Sequence, residues 1–351
     1  MKKFTAIDAF CGAGGLSLGL KNAGFEILFS FDSDPLCIET LKENKKYHDH
    51  KCYSLDVKDS LNDRVLKIVN LKRGDLDLLA GGPPCQGFSI QRTVGGDFDD
   101  RNLLVDDYGD LIIEVYPKFF LLENVTGIGG KRGREILEKF KKRMESHDYI
   151  CHERILDAKD YGVPQRRKRY ILVGERTSSD SHFCWPKANQ IKVKTVRDAI
   201  AHLPPIPSDG KPHPDIPMHR ADKLSDKNLE RIRAISSGQA REHLPNELLA
   251  ECHKLSADKI GHRNVYGRME WDLVAPTITA KFDSFTRGKF GHPVQDRSIS
   301  LLEGALLQTF PEDYVFLGNK IQAARQIGNA VPPLLAEVIG KEIIRALKNE
   351  F

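Results

Sequence analysis

The chain has 351 residues, of which 40% are apolar and 29% charged, with a formal net charge of +4. These values describe a soluble globular protein of one large domain or two smaller ones. No apolar run approaches the roughly 20 residues that span a bilayer, and the start of the chain lacks the apolar stretch of a signal peptide. No membrane role is therefore expected, and a cytoplasmic setting with reduced thiols is. The seven Cys, at positions 11, 37, 52, 85, 151, 184 and 252, form no CxxC pair, so no metal site or disulfide framework is expected. Between Arg176 and Asp296 stand 19 Lys and Arg against 15 Asp and Glu, with 8 of the 12 His. The whole positive excess lies there, which suits a polyanionic partner and equally an ordinary solvated surface.

In chain order, Thr5–Phe10 reads as a strand, followed by a Gly-rich turn and a helix from Leu16. Glu26–Phe31 is a second strand and leads into a helix ending near Asn44. Lys51–Leu55 is a third strand, and the nearly all-apolar Asp75–Ala80 is a fourth, as a buried parallel strand should be. Phe119–Leu122 is a fifth; Gly133–Glu145 has helical spacing, with Ile136, Leu137 and Phe140 on one face. Tyr149–Ile155 and Tyr170–Gly174 complete an alternation that predicts a doubly wound α/β sheet. Seven Pro between Trp185 and Arg220 then open a second domain of irregular backbone. A short helix is expected over Asp226–Ser236, and loops with short strands over 261–297. A last helix starts at Pro332-Pro333, with Leu335, Val338, Ile339 and Ile343 at helical spacing. The expected division is a first domain over 1–180, a second over 181–296, and over 297–351 a hinge and return to the first domain with the C-terminal helix.

Three strand ends converge on one edge of such a sheet. After the first comes Phe10-Cys11-Gly12-Ala13-Gly14-Gly15-Leu16, a turn whose glycines let a ligand approach the backbone. It is not the dinucleotide fingerprint, because Ser17 takes the third Gly position. After the second comes Asp32-Ser33-Asp34, where an acid suits ribose hydroxyls; after the third, Asp56-Val57, where a carboxylate could accept from an adenine amino group. Either Asp alone would serve as a helix N-cap.

The fourth strand runs into Gly81-Gly82-Pro83-Pro84-Cys85-Gln86-Gly87-Phe88-Ser89. Two prolines stiffen the approach to Cys85, and a Cys at the mouth of a sheet is exposed for chemistry once its surroundings ionise it. The fifth delivers Glu123-Asn124-Val125, where desolvation is expected to keep Glu123 protonated as a general acid. In Gln165-Arg166-Arg167-Lys168-Arg169, alternate residues of an extended segment would aim Arg167 and Arg169 together at a substrate.

The ordered set FCGAGG, GGPPCQGFS, ENV, QRRKR and QIGNAVPP, from Phe10 to Pro333, resembles the cytosine carbon-5 DNA methyltransferase family of prokaryotic restriction-modification type. The resemblance implies a seven-stranded methyltransferase sheet with its last strand antiparallel, S-adenosylmethionine as cofactor and double-stranded DNA as substrate. Phe10, Gly12, Gly14, Gly15 and Leu16 would then line the cofactor site, with Asp32 on the ribose, Ser33, Asp56 and Val57 near the adenine, and Pro84, Leu104 and Asn329 closing it. Residues 90–103 match the family's mobile loop. The chain departs from the family at Leu302 and Leu306, where Arg is usual.

The same resemblance implies the reaction. Cys85 adds to carbon 6 of a flipped cytosine, Glu123 engages ring nitrogen 3 and the amino group, Arg167 supports the base, and Arg169 orders the nucleophile loop. A monomer is expected, with a restriction endonuclease of shared specificity as a possible partner. An RNA cytosine methyltransferase, a catalytically idle DNA-binding regulator and a Rossmann oxidoreductase remain as alternatives at this stage.

Overall fold

The computed structural model describes residues 3–84, 103–178, 182–251 and 265–349. The chain divides into two units, one of residues 1–161, 168–190 and 331–351, the other of 162–167 and 191–330.

The first unit alternates strand and helix: β1 (Thr5–Ala9), α1 (Gly15–Ala23), β2 (Glu26–Asp32), α2 (Pro35–Glu43), β3 (Lys51–Ser54), α3 (Arg64–Val69), β4 (Leu78–Gly81), α4 (Leu103–Val115), β5 (Phe119–Val125), α5 (Lys131–Glu145), β6 (Tyr149–Asp157) and β7 (Lys168–Arg176). The strands form one sheet in the order β3-β2-β1-β4-β5-β7-β6. β1 to β5 are parallel, and β7 runs antiparallel to both β5 and β6. This is the expected methyltransferase sheet. Its core joins Ile7, Phe29, Leu79, Phe120 and Leu122 to Leu111, Ile112 and Phe140. The central strands are apolar on both faces because helices cover both.

Local chemistry sets the helix limits. Asp34 caps α2 by accepting from Leu36 N, with Pro35 in the first turn. Gly24, at φ 114°, closes α1 in the left-handed conformation, its N–H donating to the carbonyls of Leu20 and Lys21. The fourth strand is Leu78–Gly81, and just ahead of it the Asp77 carboxylate accepts from Thr5 N and Lys118 Nζ.

The second unit contains α6 (Val196–Ile200), α7 (Asp226–Arg233), α8 (Leu301–Leu307) and α9 (Lys320–Asn329). Where short strands were expected, its described residues make only isolated bridges, such as Arg268 with Gly291 and Gly291 with Ser298. Without ladders to occupy them, backbone carbonyls are satisfied by buried guanidinium groups. Arg268 donates to the carbonyls of Ile232, Ile235, His292 and Gln295. Arg297 grips Glu303 with both terminal nitrogens, at 2.8 and 2.7 Å. A small core of Ile232, Ile235, Leu244, Val265, Tyr266 and Phe285 lies beside α7.

The chain re-enters the first unit at Val331. α8 and α9 belong to the second unit, since Gln308, just beyond α8, donates to Ile327 O in α9. Only α10 (Pro333–Leu347) crosses back. It packs on α1 through glycines: a Cβ on Gly19 would stand 2.2 Å from Pro333 O, and one on Gly340 2.8 Å from Ala23 Cβ.

Candidate active site

The turn after β1 is held by β2. Phe10, Gly12 and Gly14 all have positive φ, at 60°, 51° and 79°. Gly12 N donates to Asp32 Oδ2 at 2.9 Å, and Asp34 N donates to Asp32 Oδ1 at 2.9 Å. The N-cap of α2 is Asp34, which leaves Asp32 at the strand end with lone pairs to spare. Burial raises the Asp32 carboxyl above its usual range. Among the described residues, a Cβ on Gly12 would meet nothing within 4 Å, which leaves room over the turn. That opening, with Asp32 at its side, fits a ribose-bearing cofactor. Leu16 and Val57 are buried, Phe10, Pro84 and Leu104 half-buried, and Ser33 and Asp56 exposed. Asp56 Oδ1 accepts from Lys58 N, forming a local turn.

Tyr108 of α4 was not legible as a site residue. Its ring meets Phe10 edge-on at 5.9 Å and would lie 3.0 Å from a Cβ on Gly81. Its hydroxyl lies 3.1 and 2.9 Å from the carbonyls of Leu79 and Leu121, bridging β4 and β5.

β5 and β7 bring the acidic and basic candidates together. Glu123 Oε1 lies 2.8 Å from Arg169 Nε, both side chains 12% exposed. Burial lowers the Arg169 guanidinium from its usual range, although the carboxylate beside it works the other way. Glu123 thus faces a guanidinium as well as the buried end of β5. A Cβ on Gly82 would fall 3.3 Å from Glu123 Oε2. Asn124, buried, donates from Nδ2 to Pro83 O at 3.0 Å and accepts Val125 N. The chain leading to Cys85 is therefore laid against Glu123 and tied by the next residue. Cys85 itself, with the rest of 85–102, lies outside the described residues.

Arg167, expected to aim with Arg169 at a substrate, is held among backbone carbonyls instead. It belongs to the second unit and is 1% exposed. It donates to the carbonyls of Ile278, Gly328 and Ala330. Gln165 accepts from Ile278 N and donates to Leu307 O. The pair secures the end of α9, where Asn329 is exposed. Arg231 and Arg268 are likewise buried, so part of the basic excess faces inward rather than toward a partner.

A parallel sheet closed by an antiparallel β7, with a cofactor turn and a carboxylate beside a GGPP strand end, defines a methyltransferase. The family model of C-5 cytosine-specific DNA methylases matches residues 4–345, and the chain belongs to that family. It is thus a DNA (cytosine-5-)-methyltransferase. The Type II methylase M.HgiDII of Herpetosiphon aurantiacus is 38% identical over 97% of this chain and 95% of that protein. The Type II methyltransferase M1.HphI of Haemophilus parahaemolyticus is 34% identical over 99% and 88%. In fold, a prophage-encoded protein of E. coli described as a DNA modification methyltransferase superposes with a TM-score of 0.77 at 27% identity, covering 99% of this chain and 100% of that one.

Proposed function

We propose that the protein flips a target cytosine out of duplex DNA and methylates its carbon 5 through a covalent adduct with Cys85. The observation that carries this reading is the Glu123–Arg169 pair beside Gly82, with Asn124 holding Pro83. It puts a hydrogen-bonding carboxyl at the root of the nucleophile segment. Flipping costs a few kcal/mol and is needed because the target atoms are stacked inside the duplex.

S-adenosylmethionine, when bound, supplies an electrophilic methyl group. Phe10, Gly12, Gly14, Gly15 and Leu16 would hold it at the turn and Asp32 its ribose. Asp56 and Val57 would border the adenine. Cys85, as thiolate, gives an electron pair to carbon 6 of the cytosine, and density moves through the ring to carbon 5. Glu123, protonated as the base enters, donates to ring nitrogen 3 while its second oxygen accepts from the amino group. Arg169 holds that carboxyl in place. Loss of the carbon-5 proton and departure of Cys85 with the electrons of its bond to carbon 6 restore the aromatic ring.

Residues of the 191–330 unit would read base edges in the major groove. The Type II names of the relatives support a place in a restriction-modification system, opposite an endonuclease of the same specificity. The protein would act as a monomer in the cytoplasm. Transfer of labelled methyl groups to duplex DNA and to tRNA tests the substrate, and DNA alone should be labelled. Glu123→Gln should lower turnover about 10²- to 10⁴-fold. Labelling of tRNA alone, or full activity of that variant, would overturn the reading.

A further inference from the structure

Beneath the cofactor turn lies a chain of polar side chains that the reaction does not use. Asp8 of β1 is fully buried, and its Oδ2 accepts from Ser17 Oγ of α1. Ser17 Oγ lies 3.1 Å from Ser30 Oγ of β2, and Ser30 Oγ lies 2.8 Å from His50 Nε2. Because Ser17 donates to Asp8, it accepts from Ser30, which in turn accepts from His50 Nε2–H. The His50 ring is then the neutral tautomer with a bare Nδ1, and that atom is buried without a hydrogen-bond partner. Burial holds His50 neutral, its value lowered to about 4. Every donor in the chain thus points toward Asp8.

The other oxygen, Asp8 Oδ1, is also buried, with no hydrogen-bond partner among the described residues. The donor chain therefore supports a negative charge through Oδ2, and Oδ1 adds nothing to that support. Other groups face Asp8: Asp32 of β2, Cys11 of the turn, Cys52 of β3 and Tyr108 of α4. Burial pushes Cys52 up to about 12 and Cys11 and Tyr108 well above their usual values, so these three are neutral. Asp32 is the other acid of the group.

We infer that Asp8 is a buried anion that makes the cofactor turn favour a positively charged methyl donor over its uncharged-sulfur product, with His50, Ser30 and Ser17 holding it in that form. The inference rests on the cofactor reading above. Asp8 stands four residues before Gly12, so its charge is within about 13 Å of the turn. In a poorly screened interior that is close enough to act on a sulfonium. The product lacks the sulfonium charge and feels no such attraction. Burial raises Asp8 to about 7, against the hydrogen bonds from Ser17 that lower it. The discrimination is therefore present above neutrality and lost as pH falls through that value.

The test is calorimetric binding of S-adenosylmethionine and S-adenosylhomocysteine between pH 5.5 and 8.5, without DNA. In the wild type, the ratio of the two affinities should shift toward the donor by about three- to tenfold across neutrality. Asp8→Asn should remove that shift. The ligands' own amino groups titrate against either protein, so the difference between wild type and variant isolates Asp8. Ser17→Ala should move the inflexion to higher pH, which a merely structural role would not do, and thermal unfolding checks that each variant is folded. An Asp8→Asn profile that matches the wild type would overturn the inference. So would an unmoved inflexion in Ser17→Ala, which decides the matter if Asp8→Asn does not fold. Failure of both ligands to bind the wild type would instead overturn the cofactor reading, and this inference with it.

Discussion

Arg169 Nε and Glu123 Oε1 meet at 2.8 Å across the antiparallel pair β5 and β7. The register explains the meeting: Arg169 stands opposite Val125 and Glu123 opposite Ile171, so the two are diagonal neighbours on one face. An antiparallel β7 is thus what brings a guanidinium to the carboxyl at the end of a parallel strand. Arg169→Ala should leave Glu123 an uncompensated charge and cost about 3–5 kcal/mol of stability. Turnover should fall at least about 100-fold. Chemical denaturation and single-turnover methylation read the two effects separately.

Gly82, just past β4, lies against that carboxyl. Gly82→Ala would place a Cβ 3.3 Å from Glu123 Oε2, tight enough that the carboxyl must shift by a few tenths of an ångström. The expected outcome is a loss of about tenfold or more in kcat, with the fold retained. Turnover and thermal midpoint measured together check it.

Asn124 ties the nucleophile segment through Pro83 O. Asn124→Ala should leave that carbonyl without its donor, at a cost of about 1–3 kcal/mol. Cys85 would be less well placed, so the loss should fall on kcat more than on cofactor affinity. Steady-state kinetics with cofactor binding separates the two.

The pH dependence of stability has a defined sign. Burial lowers His48 to about 3 and His50 and His292 to about 4. In the unfolded chain each would protonate near about 6.5. Their neutral burial contributes stability fully present above that value and lost as pH falls toward 4. Asp8, raised to about 7, works in the opposite sense over the same window, as do Asp32 and Asp107, which burial also raises, while His219, lowered by burial, adds to the three. The thermal midpoint should therefore drop between pH 6.5 and 4. His292→Asn should flatten part of the slope.

Sequence periodicity located all seven strands, because apolar runs bounded by turns are a local signal. Their limits were less legible: Glu123 and Asn124 lie inside β5, although the apolar run ends at Leu122. Five helices are absent from the sequence reading, α3, α4, α6, α8 and α9, and the last three have a usable signature. α6, α8 and α9 each begin with a capping box, built by Thr195 with Asp198, Ser300 with Glu303, and Asn319 with Gln322. At the site, alternation along the QRRKR segment suggested that Arg167 and Arg169 act alike. Their partners are set by distant residues, Ile278 and Gly328 for one and Glu123 for the other, which no local pattern contains. Tyr108 was hidden for the same reason, since its hydroxyl bridges two strands far from it in sequence.

Methylation of duplex DNA at cytosine carbon 5, mapped base by base with bisulfite in cells expressing wild type or Cys85→Ser, bears most directly on the central claim. Wild type should protect one cytosine within a fixed sequence, and the serine variant, folded and able to bind cofactor, should protect none. Equal protection by both proteins would contradict a covalent route through Cys85, and no protection by the wild type would contradict the activity itself.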